Sequence, residues 1–170
     1  MHRLLDGGAL RPDNYARWAA WIAATAMDLR ARAPGIVEQD LLALDLAHHA
    51  ARWDVLALSL VLNFVPAPPD RGRMLRVAHA ALMPRGLLFI ALPAPCVHNS
   101  RYLDDARLLA LMRAVGFEQV VERCRPGGRM AYWLFRKTEP GLSEGEAREQ
   151  FRKKEVVRTG NDRNNFSILL

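Results

Sequence analysis

The residues best suited to chemistry lie where apolar, strand-like runs of the sequence end. The run HRLLDGGAL (residues 2–10) contains two consecutive glycines, and WIAATAMD (21–28) closes on Asp28, 20 residues after Gly8. A glycine at a strand end lets a ligand approach the backbone, and a carboxylate about 20 residues later can accept hydrogen bonds from both ribose hydroxyls. Together they favour a nucleoside ligand, although each motif alone is equally typical of an ordinary turn or cap.

Two further acidic side chains extend this candidate site. Asp6 precedes the glycines and can receive the ammonium group of an amino-acid moiety. Asp40 ends the run IVEQD (36–40) and, with Gln39, is placed to read an adenine amino group. The interpretation of Asp40 depends on the glycines and Asp28, because an acid at a strand end is not specific by itself.

Asn63 and Phe64 end the apolar run DVLALSLVLNFV (54–65) and are the candidate catalytic residues. At the mouth of a pocket, an amide and an aromatic ring can orient and stack a flat base. The alternative is structural: Asn63 makes a turn before Pro66, and Phe64 packs in the core.

The proline-rich loop LPAPCVHNSRY (92–102) follows the next apolar run. Arg101 can bind a phosphate there, whereas Asn99 and Ser100 can equally cap the following helix. No metal is expected, because the pair His48-His49 lacks partners at metal-ligand spacing.

The elements that must position these residues follow the pattern of an α/β domain. Apolar runs predict five parallel strands, at 2–10, 21–28, 36–40, 54–65 and 86–93. The segments 11–20 and 29–35 are shorter than a crossover helix requires and predict loops or single turns.

Helices and a hairpin complete the predicted domain. One helix is expected over 70–86, capped by Asp70 and ended by Pro84 and Gly86. A second is expected over 100–117, capped by Ser100 and ended by Gly116. Two antiparallel strands then follow around the turn RPGG, at 117–124 and 129–137. This mostly parallel seven-stranded sheet with a terminal antiparallel hairpin resembles a Rossmann-like class I methyltransferase domain.

Composition excludes several classes of protein. The chain has 170 residues, of which 51% are hydrophobic and 25% charged, so it can build a core and general disorder is excluded. No segment is long and apolar enough to predict a membrane span or a signal peptide. Two cysteines are too few for a disulfide framework, which favours a reducing intracellular compartment.

The charge balance is compatible with a polyanionic partner. The net charge is +6, and 21 of the 24 basic residues are arginine. A GC-rich genome explains the arginine equally well, because the charge is spread along the chain. Within 151–170 five basic side chains face two acidic ones, so this tail either contacts RNA phosphates or is simply solvated. The predicted organisation is a domain over 1–137 and a polar linker, exposed helix and tail over 138–170.

Several sequence blocks, in order, resemble the fungal 25S rRNA adenine-N1 methyltransferase family. The resemblance covers residues 4–137 nearly end to end and rests mainly on the blocks LLDGGALRPDNY, IVEQDLL, WDVLALSLVLNFVPAPPDRGRML and GLLFIALPAPCVHNSRYL. It implies a class I methyltransferase that uses S-adenosylmethionine, with Gly8 and Asp28 as cofactor contacts. Two departures are expected to matter: the family's N-terminal region before the first strand is not present here, and Gly7 stands where family members carry an apolar residue.

The implied chemistry suits the residues. Unpaired adenine N1 has a lone pair that can attack a sulfonium methyl group directly, so alignment supplies most of the acceleration and no strong base is needed. The adenine must leave its stack, which favours an aromatic side chain such as Phe64 beside the pocket.

Two functions follow from the resemblance. The first is methylation of N1 of an adenine in large-subunit rRNA, with the rRNA or pre-ribosome as partner and the nucleolus as location. The alternative, suggested by the animal branch of the family, is a non-catalytic S-adenosylmethionine sensor that acts through a protein partner. Neither function predicts a membrane or a metal.

Overall fold

The computed structural model describes residues 1–125 and 127–170. Its strands are β1 (His2–Gly7), β2 (Ile22–Asp28), β3 (Ile36–Glu38), β4 (Trp53–Ser59), β5 (Leu82–Pro93), β6 (Phe117–Cys124) and β7 (Met130–Lys137). Its α-helices are α1 (Leu46–His49), α2 (Pro68–Ala81), α3 (Pro95–His98), α4 (Asp105–Val115) and α5 (Glu144–Phe151). Short 3₁₀ turns lie at Ala16–Trp18 and Leu41–Ala43.

The strands form one sheet in the order β3-β2-β1-β4-β5-β7-β6. Neighbours from β3 to β5 are parallel, and β7 is antiparallel to both β5 and β6. This confirms the predicted α/β fold with its terminal hairpin; the predicted RPGG turn includes Pro126, which lies outside the described residues. The chain leaves β1 toward β2 and leaves β4 toward β5, so the sheet order reverses between β1 and β4. Open α/β sheets bind ligands outside the strand ends at such a point.

Several predicted strand ends are wrong. β4 ends at Ser59, and residues 60–64 form a turn in which Leu60 has φ 60° and Phe64 N–H donates to Val61 O at 2.9 Å. β3 stops at Glu38, before Asp40, because the Asp40 carboxylate caps the following 3₁₀ turn. The two short connections are confirmed, since 11–20 holds one 3₁₀ turn and 29–35 holds no helix.

The predicted helix caps also need correction. α2 begins at Pro68 after the N-cap Ala67, and Asp70 lies in its first turn and does not cap it. The helix ends at Ala81, because β5 already pairs with Trp53 at Leu82, so Pro84 and Gly86 belong to the strand. α4 begins at Asp105, capped by Asp104.

Ser100, the predicted cap of that helix, has another role. It is fully buried, and its hydroxyl donates to the Phe166 carbonyl at 2.5 Å while accepting N–H groups of residues 102 and 103. The predicted end of the helix is confirmed: Gly116 adopts φ 105°, and an added Cβ would lie 2.5 Å from His79 Nε2.

The core lies on one face of the sheet. Side chains alternate along a strand, and the inward-facing set packs against α2, α4 and α5; it includes Leu5, Leu56, Leu58, Leu88, Ile90, Leu92, Trp133 and Phe135. On the opposite face, residues 8–21 cross over β1. No described α-helix covers β5, β7 or β6 there, and Phe89, Tyr132 and Leu134 belong to no described core cluster.

The C-terminal segment, residues 138–170, is less exposed than its polar and charged composition predicts. A capping box between Ser143 and Glu146 starts α5, which buries Phe151 at 1% exposure. Beyond it, Phe166 and Ile168 are buried against the domain. One side of α5 and residues 166–168 therefore pack onto the sheet's helical layer, whereas most of residues 152–162 are exposed. None of the helices in the described ranges is long and apolar enough to cross a membrane.

Candidate functional site

A cavity of about 550 Å³ opens at the carboxyl ends of β1, β2, β3 and β4, beside the point where the sheet order reverses. Its volume is within the usual range for small-molecule sites. It is lined by residues 7–8, 10, 27–29, 39–42, 59–61, 64–66, 70 and 74. The predicted residues Gly8, Asp28, Asp40 and Phe64 thus meet in one place.

The backbone at Gly8 forms the floor of the cavity and accepts only glycine without strain. Its φ is +77°, and a Cβ there would lie 2.4 Å from Val61 Cγ2. The Gly8 N–H donates to Met27 O at 2.8 Å, which fixes the turn against the end of β2. The turn after β1 and the loop after β4 therefore approach closely, and Gly8 presents only backbone to the cavity.

Two half-buried carboxylates flank this floor. Asp28 Oδ1 accepts the Arg30 N–H at 2.8 Å, and Asp40 Oδ1 accepts the Leu42 N–H at 2.8 Å. Within residues 1–125 and 127–170, neither carboxylate makes another side-chain hydrogen bond, so each keeps an oxygen that can accept from a ligand.

Asp6, predicted to hold an ammonium group, is not brought to the cavity. It points to the sheet face opposite Leu5, is 4% exposed, and accepts a hydrogen bond from Asn14 Nδ2 at 2.9 Å. Burial raises the pKa of the Asp6 carboxyl, and the bond from Asn14 partly opposes that rise. In this structure Asp6 anchors the segment that follows β1.

Phe64 and Asn63 have separate environments. Phe64 is 79% exposed at the mouth of the cavity, so its alternative placement in the core is wrong. Asn63 does not contribute to the lining given by the described residues; its Oδ1 is buried and has no hydrogen-bond partner among them.

An apolar rim surrounds the mouth of this cavity, and of its members only Phe64 was predicted. It consists of Leu10, Leu29, Leu60 and Phe64, which are 69%, 64%, 40% and 79% exposed. Exposed apolar side chains gathered around a concave site are typical of ligand binding. The sequence signal was present, because three of the four lie within a few residues of the predicted site.

The loop 92–102 does not reach the cavity. Asn99 Nδ2 donates to Asp162 O at 2.9 Å, and Arg101 Nη2 donates to Gly160 O at 3.2 Å, so both bind the C-terminal segment. Arg101 therefore lies against the C-terminal segment and does not line the cavity.

Arg71 is a positioning residue that sequence reasoning missed. It is 8% exposed, and its guanidinium donates to Val65 O at 2.8 Å and to Ser167 O at 2.6 Å. It also lies over the Phe166 ring, 4.2 Å from the centroid. Arg71 thus ties the loop carrying Phe64 to the C-terminal segment.

Comparison with protein families gives one match over nearly the whole chain. Residues 1–168 match the family described as 25S rRNA (adenine(2142)-N(1))-methyltransferase, Bmt2.

Two curated relatives are similar over almost the full chain. The 25S rRNA adenine-N(1) methyltransferase of Schizosaccharomyces pombe is 32% identical over 97% of this chain. The 25S rRNA (adenine(2142)-N(1))-methyltransferase of Saccharomyces cerevisiae is 31% identical over 98%. The chain spans 59% and 48% of the lengths of these relatives.

Solved structures share the fold. A 1,6-didemethyltoxoflavin-N1-methyltransferase from Burkholderia thailandensis, bound to S-adenosylhomocysteine, has a TM-score of 0.64 and 23% identity over 81% of this chain and 72% of its own. A variant of the 16S rRNA (adenine(1408)-N(1))-methyltransferase from Catenulisporales acidiphilia has a TM-score of 0.59 and 14% identity, over 82% and 86%. The fold is therefore the Rossmann-like class I methyltransferase fold.

Proposed function

Because this chain belongs to the family of 25S rRNA (adenine(2142)-N(1))-methyltransferases, Bmt2, we propose that it methylates N1 of an adenine in large-subunit rRNA, using S-adenosylmethionine. The observation that carries the proposal is the cavity beside β1 and β4, where two carboxylates with free acceptor oxygens lie under a rim holding an exposed aromatic ring. We expect the protein to act on rRNA or a pre-ribosome in the nucleolus, where that RNA is made.

The residues of the cavity fit S-adenosylmethionine. Gly8 presents bare backbone to the cofactor, and the absence of a Cβ lets Val61 pack against this turn. Asp28, at the end of β2, would accept both ribose hydroxyls, and Asp40 would accept the adenine amino group. When bound, the cofactor supplies a methyl group on a sulfonium sulfur.

The rim would hold the target base. Phe64 offers an exposed face on which an unstacked adenine can lie, with Leu60 beside it. Adenine N1 attacks with its own lone pair, so the site needs alignment more than a base. Methylation at N1 leaves a cation, and the Asp70 carboxylate, which lines the same cavity, would stabilise that charge.

Cofactor binding tests the first half of this proposal. Calorimetric titration of S-adenosylmethionine into the chain should give binding that Asp28→Ala weakens by at least about tenfold, because a hydrogen bond to a carboxylate contributes ~1.5–3 kcal/mol. Asp162→Ala, which removes an exposed carboxylate beside the C-terminal segment, is the matched control and should bind as the wild type does.

Methyl transfer tests the second half. Unmodified rRNA incubated with labelled cofactor should gain N1-methyladenine, and Phe64→Ala should abolish this gain while cofactor affinity stays within a few-fold. Phe64→Tyr, which keeps the ring, should retain activity. Cofactor binding without methylation of any rRNA would refute the enzymatic proposal and favour the sensor function.

A further inference from the structure

We propose that the uncovered sheet face of β5, β7 and β6 binds a single-stranded segment of RNA next to the target adenine, with Tyr132 as its stacking platform. The proposal rests on the proposed function for its choice of RNA, but it concerns a surface outside the cofactor cavity. Sequence reasoning assigned no role to any residue of this surface.

Tyr132 is an exposed aromatic ring on this sheet face. It is 40% exposed and stacks against Phe89 on the neighbouring strand, with ring centroids 6.3 Å apart and planes 16° apart. Its inward-facing neighbours on β7, Ala131 and Trp133, fill the core, so the strand backbone and Phe89 hold the ring in place. A ring held in this way loses little freedom when a base stacks on it.

Three arginines share a concave surface with this ring. Arg123 lies directly opposite Tyr132 in the β6–β7 pairing, and Arg125 and Arg129 complete this surface. Glu122 also lines this surface, leaving an excess of positive charge. In the described parts of the chain, none of these three arginines forms an ion pair.

The combination of a stacking ring and unpaired arginines selects the partner. Single-stranded RNA presents unstacked bases to aromatic rings and phosphates to guanidinium groups, which matches both features. A double helix would conceal its base faces from Tyr132. The charge also disfavours an apolar protein segment, which would have to desolvate Arg123.

The surface is continuous with the candidate site. Leu60, in the loop that carries Phe64, donates its N–H to Ala91 O at 2.9 Å, and Ala91 is paired in register with Tyr132. The start of β7 is tied to the end of β5, since Ala94 N–H donates to Arg129 O at 2.8 Å. Only β5 lies between β4 and β7, so these two strands are roughly 10 Å apart. One strand of RNA can therefore cross from the rim to Tyr132.

RNA binding by surface variants tests the inference. The probe is a fluorescent oligoadenylate of about 12 nucleotides, titrated with the whole chain and followed by anisotropy. Tyr132→Ala should weaken binding about tenfold, because base stacking is lost, whereas Tyr132→Phe should bind as the wild type does. Arg123→Gln and Arg129→Gln should each weaken binding and lower the slope of log affinity against log salt by about 0.7. Arg113→Gln, on the exposed side of α4 in the opposite layer, is the matched control.

Methyl transfer and cofactor titration on the same variants separate this inference from the proposed function. We expect Tyr132→Ala to raise the KM for rRNA and leave S-adenosylmethionine affinity unchanged. If rRNA is methylated but Tyr132→Ala and Arg123→Gln bind RNA normally, the proposed RNA-binding surface is refuted and the proposed function stands. If these variants lose RNA affinity but neither they nor the wild type transfer a methyl group, the RNA-binding surface is supported and the proposed function is refuted. A wild-type dimer in light scattering that Tyr132→Ala converts to monomer would show that a second copy covers this face, which would overturn the proposal.

Discussion

Replacing Gly72 by alanine should destabilise this protein, although Gly72 lies inside a helix where alanine is ordinarily better. Gly72 is buried in α2, under the C-terminal residues. An added Cβ would lie 1.9 Å from the Leu169 carbonyl oxygen, 2.9 Å from its carbonyl carbon and 3.1 Å from Leu170 Cδ2. Two of these atoms are backbone, so no side-chain rotation relieves the overlap.

Two opposing terms set the magnitude. Alanine gains about 1 kcal/mol over glycine from helix propensity. Overpacking a filled site costs about 1–3 kcal/mol, and a collision with backbone belongs at or above the upper end of that range. Moving Leu169 also weakens its N–H bond to Pro68 O, 3.1 Å, and the Arg71 bond to Ser167 O, 2.6 Å. The net destabilisation should be about 2 kcal/mol, which for a domain of this size lowers Tm by about 4–8 °C.

Thermal and urea unfolding of Gly72→Ala, compared with a matched control variant, measure this destabilisation. Gly145→Ala is the matched control, because Gly145 lies in α5 and an added Cβ meets nothing within 4 Å. Gly145→Ala should therefore raise the unfolding free energy by about 0.5–1 kcal/mol. Deleting residues 166–170 removes the obstacle, so Gly72→Ala should become stabilising in the shortened chain. An equal gain from both glycine substitutions in the full chain would refute the packing of this segment on α2.

Other perturbations test the site and its supports. Gly8→Ala should weaken S-adenosylmethionine binding, since φ +77° is strained for alanine and the Cβ would lie 2.4 Å from Val61 Cγ2; adding Val61→Ala should restore part of the affinity, and no restoration would place the whole cost in the backbone. Burial lowers the pKa of His79, so on acidification the imidazole is protonated in the unfolded chain before it is protonated in the folded one. The free energy of unfolding should therefore fall as pH drops below about 6.5. In urea unfolding, His79→Gln should lose less stability between pH 7 and pH 5 than the wild type does. Arg71→Met should lower stability and raise protease cleavage after residue 160, because the carbonyls of Val65 and Ser167 lose their donor; unchanged cleavage would contradict the tethering role.

The sequence was most informative where a strand carries a distinctive end. β1 and β2 lie within their predicted runs, although β1 ends at Gly7 and not at residue 10. Gly8 and Asp28 line the same cavity, because the carboxyl ends of adjacent parallel strands must meet at one edge. The hairpin of β6 and β7 was equally predictable, since two apolar runs separated by a glycine-rich turn have few other pairings.

Other strand boundaries were wrong because the sequence does not show whether an apolar side chain packs in the core or lines a ligand site. The run from Asp54 to Val65 was predicted as one strand, but Leu60 and Phe64 are exposed at the rim of a cavity. Periodicity cannot separate a side chain buried in the core from one exposed to a ligand. Asp6 failed for a related reason: its place beside the glycines was correct, but strand alternation turned its side chain to the other face of the sheet.

The short connections at 11–20 and 29–35 have a consequence for how the site is held. With no α-helix in either connection, the cavity receives its support from α2 and the loops on one side of the sheet. Arg71 binds the Phe64 loop to residue 167, so the packing of the C-terminal segment reaches the rim through this buried side chain. Substitutions that free this segment should therefore affect the Phe64 loop before they affect Asp28, whose nearest hydrogen bond is to its own turn at Arg30. A C-terminal deletion that lowered cofactor affinity as much as Asp28→Ala, with little loss at the base-binding rim, would contradict this order.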